Sequence, residues 1–479
     1  MKLRLSVNAL VLVLSALTVS AQNYPYVLTD LGTVPGNTTS PQAWGINETG
    51  DMTVGWSSYP TLGWVHTASG MALVGTLPGC AFSTAWDVND AGQIVGSSWA
   101  ASIDNPGNAY RKTPGTGMVN LGTLGGTKSD ARRINNAGQV VGDSLVAGDN
   151  SHMHAFLYTD GTGMVSLAPS AAISHGSGIS HNGQATGSMT VGNNWHAFRY
   201  IPGVGLSDLG LPPGYAHSYG AAINDLGQVA GTVAFSGSTY PQLFRWTPGS
   251  GYQIFGNNAP FTSCWAINAS GTVVGISPIG GYYRAVMFAD GMGLVDLNTL
   301  IDPATGWSLR VASDINDRGQ IVGYGTVAGG ATHAFRLDPA ASFAAFGTGC
   351  AGTAGVPLLA AAPGSLPRLG STLIMQLSSL PAPTVVVFGI LGLSNTSFAG
   401  APLPLSLNVI GMNGCTQYVS FDLALSLPAA AGTANWPLAV PSNLALQGFH
   451  LYAQSLVPDG GVNPFGATVS NAAAITLGG

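Results

Sequence analysis

Apolar residues in this chain fall into short runs broken by turn formers, and one such run recurs with little change. Its cleanest copy is Asp314-Ile315-Asn316-Asp317-Arg318-Gly319-Gln320-Ile321-Val322-Gly323. A β-branched residue precedes an Asn, a Gly follows three positions later, and a Val-Gly pair closes the unit. The Asn-Gly pairs are Asn47 with Gly50, Asn89 with Gly92, Asn135 with Gly138, Asn224 with Gly227, Asn268 with Gly271 and Asn316 with Gly319. A further copy carries Ser180 and Gly183 instead. Successive Asn/Ser positions are 42, 46, 45, 44, 44 and 48 residues apart. A near-constant period of this size marks one supersecondary unit per repeat. An Asn can start a type I turn through its side chain, and a Gly can take the left-handed position that ends it. Each core therefore predicts the end of one strand, a tight hairpin and the start of the next.

A second pattern follows each core. It reads His154-Ala155-Phe156-Leu157-Tyr158, His196-Ala197-Phe198-Arg199-Tyr200 and His333-Ala334-Phe335-Arg336-Leu337, with variants such as Asn108-Ala109-Tyr110. Residues two apart share a strand face, so the aromatics pack together. A Gly-containing turn and a short strand ending in Leu complete the unit, as in Met164-Val165-Ser166-Leu167. Four short strands per repeat of about 44 residues match a propeller blade, and a closed ring removes free sheet edges. The expected fold is all-β, a seven-bladed β-propeller followed by a small β-sandwich domain. The ends support closure. Tyr26 to Gly32 has the character of a fourth strand but precedes the first core, whereas the seventh repeat stops after Leu337 without one.

The His-Ala-Phe triplets, with the Ile-Asn-x-x-Gly-x-x-x-Gly cores, resemble the bacterial extracellular HAF-repeat proteins over about residues 24–339. That resemblance implies secretion and a repeat fold. It supplies no defined activity and no catalytic residues.

Residues 1–21 read as a signal peptide, with Lys2 and Arg4 ahead of the apolar Leu10 to Leu14 and small residues at Val19-Ser20-Ala21. The expected products are an exported chain at the cell surface or outside it, and no membrane-spanning segment after cleavage. Residues 22–340 form the repeat region and 341–479 a C-terminal domain. Charged residues make up 7% of the chain, far below the usual quarter. Without Lys2 and Arg4 the balance is 12 basic against 20 acidic residues, which argues against binding a phosphate backbone. Nucleic acid is therefore excluded as a partner.

Four cysteines, Cys80, Cys264, Cys350 and Cys415, allow three full pairings. Cys350 and Cys415 share the C-terminal region and each follows a Gly, so a disulfide is expected between them. Cys80 and Cys264 belong to repeats that are not neighbours and are expected to stay unpaired. The C-terminal region holds short apolar runs at 373–377, 385–390, 405–410, 419–425, 444–452 and 468–477, with no helical periodicity. They predict a sandwich. The Gly349-Cys350 opening, Leu403-Pro404-Leu405 and Gly414-Cys415 resemble a C-terminal module of secreted planctomycete-type proteins. That resemblance implies export or surface display, not chemistry.

Catalytic signatures are absent. No nucleophile elbow, His-Glu-x-x-His or phosphate loop occurs, Glu48 is the single glutamate, and no cofactor motif is found. His154, His196 and His333 occupy one repeat position and are expected to make structural polar contacts. Trp44, Trp86 and Trp265 precede the turn Asn and are expected to pack between blades. Trp56, Trp99 and Tyr324 follow the second Gly, with Tyr59 close by, and are the candidate stacking platform for a glycan or an apolar partner surface. The reading is an exported, monomeric, non-enzymatic binding or structural protein with a cell-envelope glycan or protein as partner. The alternative is a propeller hydrolase or lyase acting on glycans, with Asp residues such as Asp90, Asp225 and Asp317 meeting at the channel mouth.

Overall fold

The computed structural model describes residues 25–34, 40–58, 60–101, 107–237, 241–255, 263–290, 292–382, 386–443 and 446–478. The signal segment 1–21 and Tyr59 lie outside these residues. Seven antiparallel sheets follow one another along the chain from Pro41 to Pro339, and each is a propeller blade. Blade one runs through Pro41–Ile46, Thr53–Ser58, Thr61–Thr67 and Gly70–Leu73 in that spatial order. The later blades repeat it. In blade two the innermost strand is broken into Phe82–Ser83 and Asp87–Val88. Blade seven takes three strands from the end of the repeats and its fourth from the start. Tyr26–Asp30 pairs antiparallel with Thr332–Pro339, Tyr26 opposite Pro339 and Asp30 opposite Phe335. The ring is closed as the half-units at its ends predict.

The hairpin chemistry explains the repeat. Gly50, Gly92, Gly138, Gly183, Gly227, Gly271 and Gly319 all have φ between 70° and 82°, the left-handed region where a Cβ is strained. In each turn the Gly N–H donates to the Asn or Ser carbonyl three residues back, at 3.0 Å for Gly319 to Asn316. The Asn side chain then acts twice. Its Oδ1 accepts the N–H of the returning strand, as from Gln320 to Asn316 at 3.0 Å. Its Nδ2 donates to the equivalent carbonyl of the next blade: Asn89 to Asn135, Asn135 to Ser180, Asn224 to Asn268, Asn268 to Asn316 and Asn316 to Asn47, at 3.0–3.2 Å. The last of these joins blade seven to blade one.

The second Gly has a different cause. The innermost strands carry a β-bulge, between Ala43 and Gly45 in blade one and between Ala312 and Asp314 in blade seven. The carbonyl of the strand then passes so close that a Cβ on Gly55 would lie 1.9 Å from the Gln42 oxygen, and one on Gly323 would lie 1.9 Å from that of Val311. The aromatic of the third strand covers the same Gly. Trp64, Tyr110, Phe156, Phe198, Phe244 and Phe335 are fully buried. Each removes enough apolar surface to contribute about 2–3 kcal/mol. His196 and His333 make the expected polar contacts: their Nδ1 atoms meet Asp208 at 2.9 Å and Asp30 at 3.0 Å on the outermost strands.

From Ser342 onward the chain forms one nine-stranded antiparallel sheet, not two separate ones. Leu423–Ala430 belongs to both halves, pairing with Val386–Gly392 on one side and Thr433–Ala439 on the other. The sheet folds over a core in which Leu373, Met375 and Trp436 of one half meet Val387, Val457 and Ile475 of the other. Two of the predicted strands differ. Residues 405–410 give a two-residue strand and then a 3-10 turn, Leu407–Ile410, because Ser406 caps the Asn408 N–H and Gly411 closes the turn at φ 85°. The run at 444–452 contributes a strand from His450 onward. The Cys350–Cys415 disulfide is formed, 65 residues apart in sequence, while Cys80 and Cys264 are free thiols. Such a link stabilises a domain by about 2–4 kcal/mol.

The substitution Asn316→Ala should cost about 2–4 kcal/mol in urea unfolding, because it strips two buried turn N–H groups and the Asn47 carbonyl of their partner. Asn136→Ala, which removes an exposed link to Asp90 between neighbouring blades, should cost below about 1 kcal/mol. Equal losses would place the strength of the ring elsewhere.

Candidate functional site

The bulge in each innermost strand leaves one residue unpaired and turns it towards the propeller axis, a common way to re-aim a side chain. Those residues are Trp44, Arg132, Ser177, Ala221 and Trp265, with Trp86 at the break in blade two; Ser313 of blade seven is also unpaired, but its buried hydroxyl donates to the Ala43 carbonyl of blade one. The three indoles meet at the axis. Trp44 lies 5.0 Å from Trp86 and 5.2 Å from Trp265, ring centre to ring centre, both edge to face. Trp265 is two blades away from Trp44, so these rings do not each fill a gap between adjacent sheets, as expected from sequence. They form one axial cluster. Trp56 stacks on Trp44 at 6.2 Å and Tyr324 lies 6.0 Å from it, so two members of the anticipated platform join the cluster. Trp99 does not. It sits two residues further along its strand, opposite Phe82, with the rings 5.9 Å apart.

Beside this cluster lies a cavity of about 260 Å³, lined by Trp44, Trp86, Trp265, Tyr219, Arg132 and Arg133 and by the hydroxyls of Ser177, Ser188, Thr232 and Ser263. The indole Nε1 atoms of Trp44, Trp56 and Trp265 are buried and have no hydrogen-bond partner among the described residues. Burial ordinarily requires such donors to be satisfied. Cys264 also lines the cavity, and burial pushes its thiol far above the usual range, so it is no nucleophile. Tyr219 is likewise pushed up by burial and keeps its phenol proton at neutral pH.

One residue further along each inner strand, the channel is closed. Arg133 donates to the Trp86 carbonyl of blade two and the Trp265 carbonyl of blade six, both at 3.3 Å. Asp87 and Asp314 flank it. Their carboxylates accept the Ile134 and Ile46 N–H groups of the neighbouring blades at 2.9 and 3.0 Å. Burial pushes both acids up, against the pull of Arg133.

At the turn-side mouth Glu48, His181, Asp225 and Asp317 line a pocket of about 100 Å³. Asp90, the remaining acid anticipated there, is instead bound to Asn136 and to the Thr49 N–H. The other carboxylates mainly serve the ring. Asp317 accepts the Ala269 N–H at 2.6 Å, Asp225 that of Asn182 at 3.1 Å and Glu48 that of Asp317 at 2.8 Å. His181 bridges Glu48 at 3.5 Å and Asp225 at 3.4 Å. The C-terminal domain lies over this mouth. Leu393 and Gln447 to His450 share a cavity of about 710 Å³ with Glu48, His181 and Asp317. The Gly448 backbone approaches the Arg318 carbonyl so closely that a Cβ would stand 1.9 Å from it.

No helix among the described residues is long and apolar enough to cross a membrane. No protein-family model matches the chain, and no curated protein does. Solved structures match the propeller. The chain is similar to virginiamycin B lyase from Staphylococcus aureus, with 12% identity, 65% of this chain and 99% of that one covered and a TM-score of 0.44. It is similar to TolB from Acinetobacter baumannii, with 14% identity, 54% and 64% covered and a TM-score of 0.35. A Pyrococcus horikoshii acylaminoacyl peptidase gives 7% identity, 72% and 59% covered and a TM-score of 0.40. These likenesses carry no activity across.

The Glu48 carboxylate, with its hydrogen bond and charge, and then Asp225 and Asp317 raise His181 from 6.5 to about 9. Protonated His181 therefore stabilises the fold in full below pH 6.5, and that contribution is lost as pH rises through about 9. The unfolding temperature should fall across this window, and His181→Asn should flatten the fall. An unchanged slope in calorimetry would assign it to other groups.

Proposed function

We propose that this chain is an exported recognition protein whose propeller binds a glycan at the indole-lined mouth. The observation that carries the reading is a cavity that joins aromatic faces, serine and threonine side chains and the arginines Arg132 and Arg133 at one point on the axis. A sugar ring matches all three. Its C–H face stacks on an indole, while its hydroxyls accept from the arginines and exchange bonds with Ser and Thr. At about 260 Å³ the space is below the roughly 300–1,000 Å³ of a drug-sized site, so it suits one ring of a longer molecule. The turn-side mouth supports the reading by exclusion, since the C-terminal domain lies over it and its carboxylates hold the ring together.

Titrating the mature chain with solubilised cell-envelope polysaccharides, and with neutral and uronate-containing oligosaccharides, should give saturable quenching of tryptophan fluorescence. Trp265→Ala, which removes a stacking ring from the cavity, should weaken binding about tenfold, or 1.4 kcal/mol. Trp99→Phe should leave it unchanged. Absence of saturable binding to every glycan tested would overturn the proposal.

A further inference from the structure

The mouth has two unlike halves. Blades one, two, six and seven give it rings: Trp44, Trp56, Trp86, Trp265 and Tyr324. Blade three gives it a guanidinium. Arg132 is the unpaired bulge residue of its strand, and it lines the cavity beside the indoles. Its Cζ lies 5.7 Å from the centre of the Trp86 ring, and its side chain stays 40% exposed. Two carboxylates that are not among the lining residues hold it. Asp143 Oδ2 lies 3.3 Å from both Nε and Nη2, and Asp130 Oδ2 lies 3.5 Å from Nη2. Asp143 is fixed in turn by the Gly176 N–H at 2.8 Å, and Asp130 by the Ser97 hydroxyl. The pairing uses one edge of the planar group. Nη1 takes no partner among the described residues, so its two N–H donors are left for a ligand.

Charge decides what those donors suit. Arg132 brings one positive charge and its two acids bring two negative ones. His175 Nδ1 meets Asp143 at 3.3 Å, so even a protonated imidazole brings the group only to balance. Lys128, which does not line the cavity, pulls on Asp130 less than Arg132 does. Arg133, the other guanidinium of the lining, is matched by Asp87 and Asp314 and donates to two backbone carbonyls. A ligand carboxylate at Nη1 would meet no surplus cation. It would also stand close to two carboxylates already on the same group, where little water screens the repulsion. A pair of hydroxyl oxygens meets the same donors without that cost.

We propose that Arg132 is the specificity-determining residue of the mouth and selects a neutral sugar ring over its uronate counterpart. Its Nη1 reads two adjacent hydroxyl oxygens while an indole takes the C–H face of the ring. This rests on the recognition reading and names the class of glycan. Ser177, Ser188, Thr232 and Ser263 complete the polar half of the lining. Asp130 and Asp143 are positioning residues: they aim the guanidinium and cancel its charge, so the site keeps donors without attracting anions.

The test uses oligosaccharides matched in linkage and length that differ only in the carboxylate: galactose and galacturonate, glucose and glucuronate, mannose and mannuronate. Each is titrated against the mature chain at neutral pH by tryptophan fluorescence. At least one neutral oligomer should bind, and its uronate partner should bind about tenfold or more weakly. The neutral affinity should hold as ionic strength rises, because the ligand carries no charge to screen. Arg132→Gln should weaken the neutral ligand about tenfold. Asp130→Asn, which keeps the shape and uncovers positive charge, should shrink the neutral-to-uronate ratio about tenfold. The wild-type comparison needs no variant, so it stands even where a substitution unfolds the chain. A uronate that binds as tightly as its neutral partner, or undiminished neutral binding in Arg132→Gln, would overturn the assignment and leave recognition standing. Absence of saturable binding to every oligomer and every cell-envelope polysaccharide would remove both.

Discussion

The structure depends on one amide. In five of the seven blades an Asn at the end of the innermost strand accepts from its own hairpin and donates to the carbonyl of the next blade, so a single side chain fixes a turn and a ring contact together. No other residue type fits. Aspartate lacks the donor, glutamine is too long for the turn, and serine manages only the local half, as Ser180 does by bonding within its own hairpin. Where the amide link is missing, neighbouring side chains supply another, Asp90 to the Thr49 N–H and Asp225 to the Asn182 N–H. The strictness of the repeat is thus a matter of hydrogen-bond geometry more than of apolar packing.

The fold was legible because its determinants are local and repeated. The αL Gly, the capping amide and the alternating strand each leave a mark within ten residues, and seven copies make that mark unmistakable. The site was legible only in part. Trp56 and Tyr324 stand one residue past the second Gly, and Trp99 stands three past, a difference that decides whether a ring reaches the axis. Trp44, Trp86 and Trp265 were visible as a recurring position, but their convergence depends on a bulge that sequence does not announce. The signal was there in the pairing of a large residue with the Gly that makes room for the bulge. Contacts among blades three, four and five, such as Asp143 with His175, join residues with no shared motif. No local pattern encodes them.

Closing the axis with Arg133 divides the propeller into two unlike faces. On one, the indoles and the ionisable wall of blades three to five surround an open cavity. On the other, carboxylates serve backbone amides and the C-terminal domain takes up the surface. The same repeat therefore presents ligand chemistry at one end of its innermost strand and assembly chemistry at the other. Variation is concentrated where the bulge points, and invariance where the turn bonds.

The pairing of Tyr26–Asp30 with Thr332–Pro339 sets an order of events as well as a shape. Synthesis delivers the N-terminal strand first, yet its partner is among the last parts of the propeller to be made. Until then the growing molecule is an open arc whose N-terminal strand lacks its partner, and the contact that ends this exposure spans nearly the whole ring. Interruption anywhere before the seventh repeat would leave that arc permanently sticky. Completion, by contrast, covers the open edge of the last blade and joins the first blade to the seventh in one step.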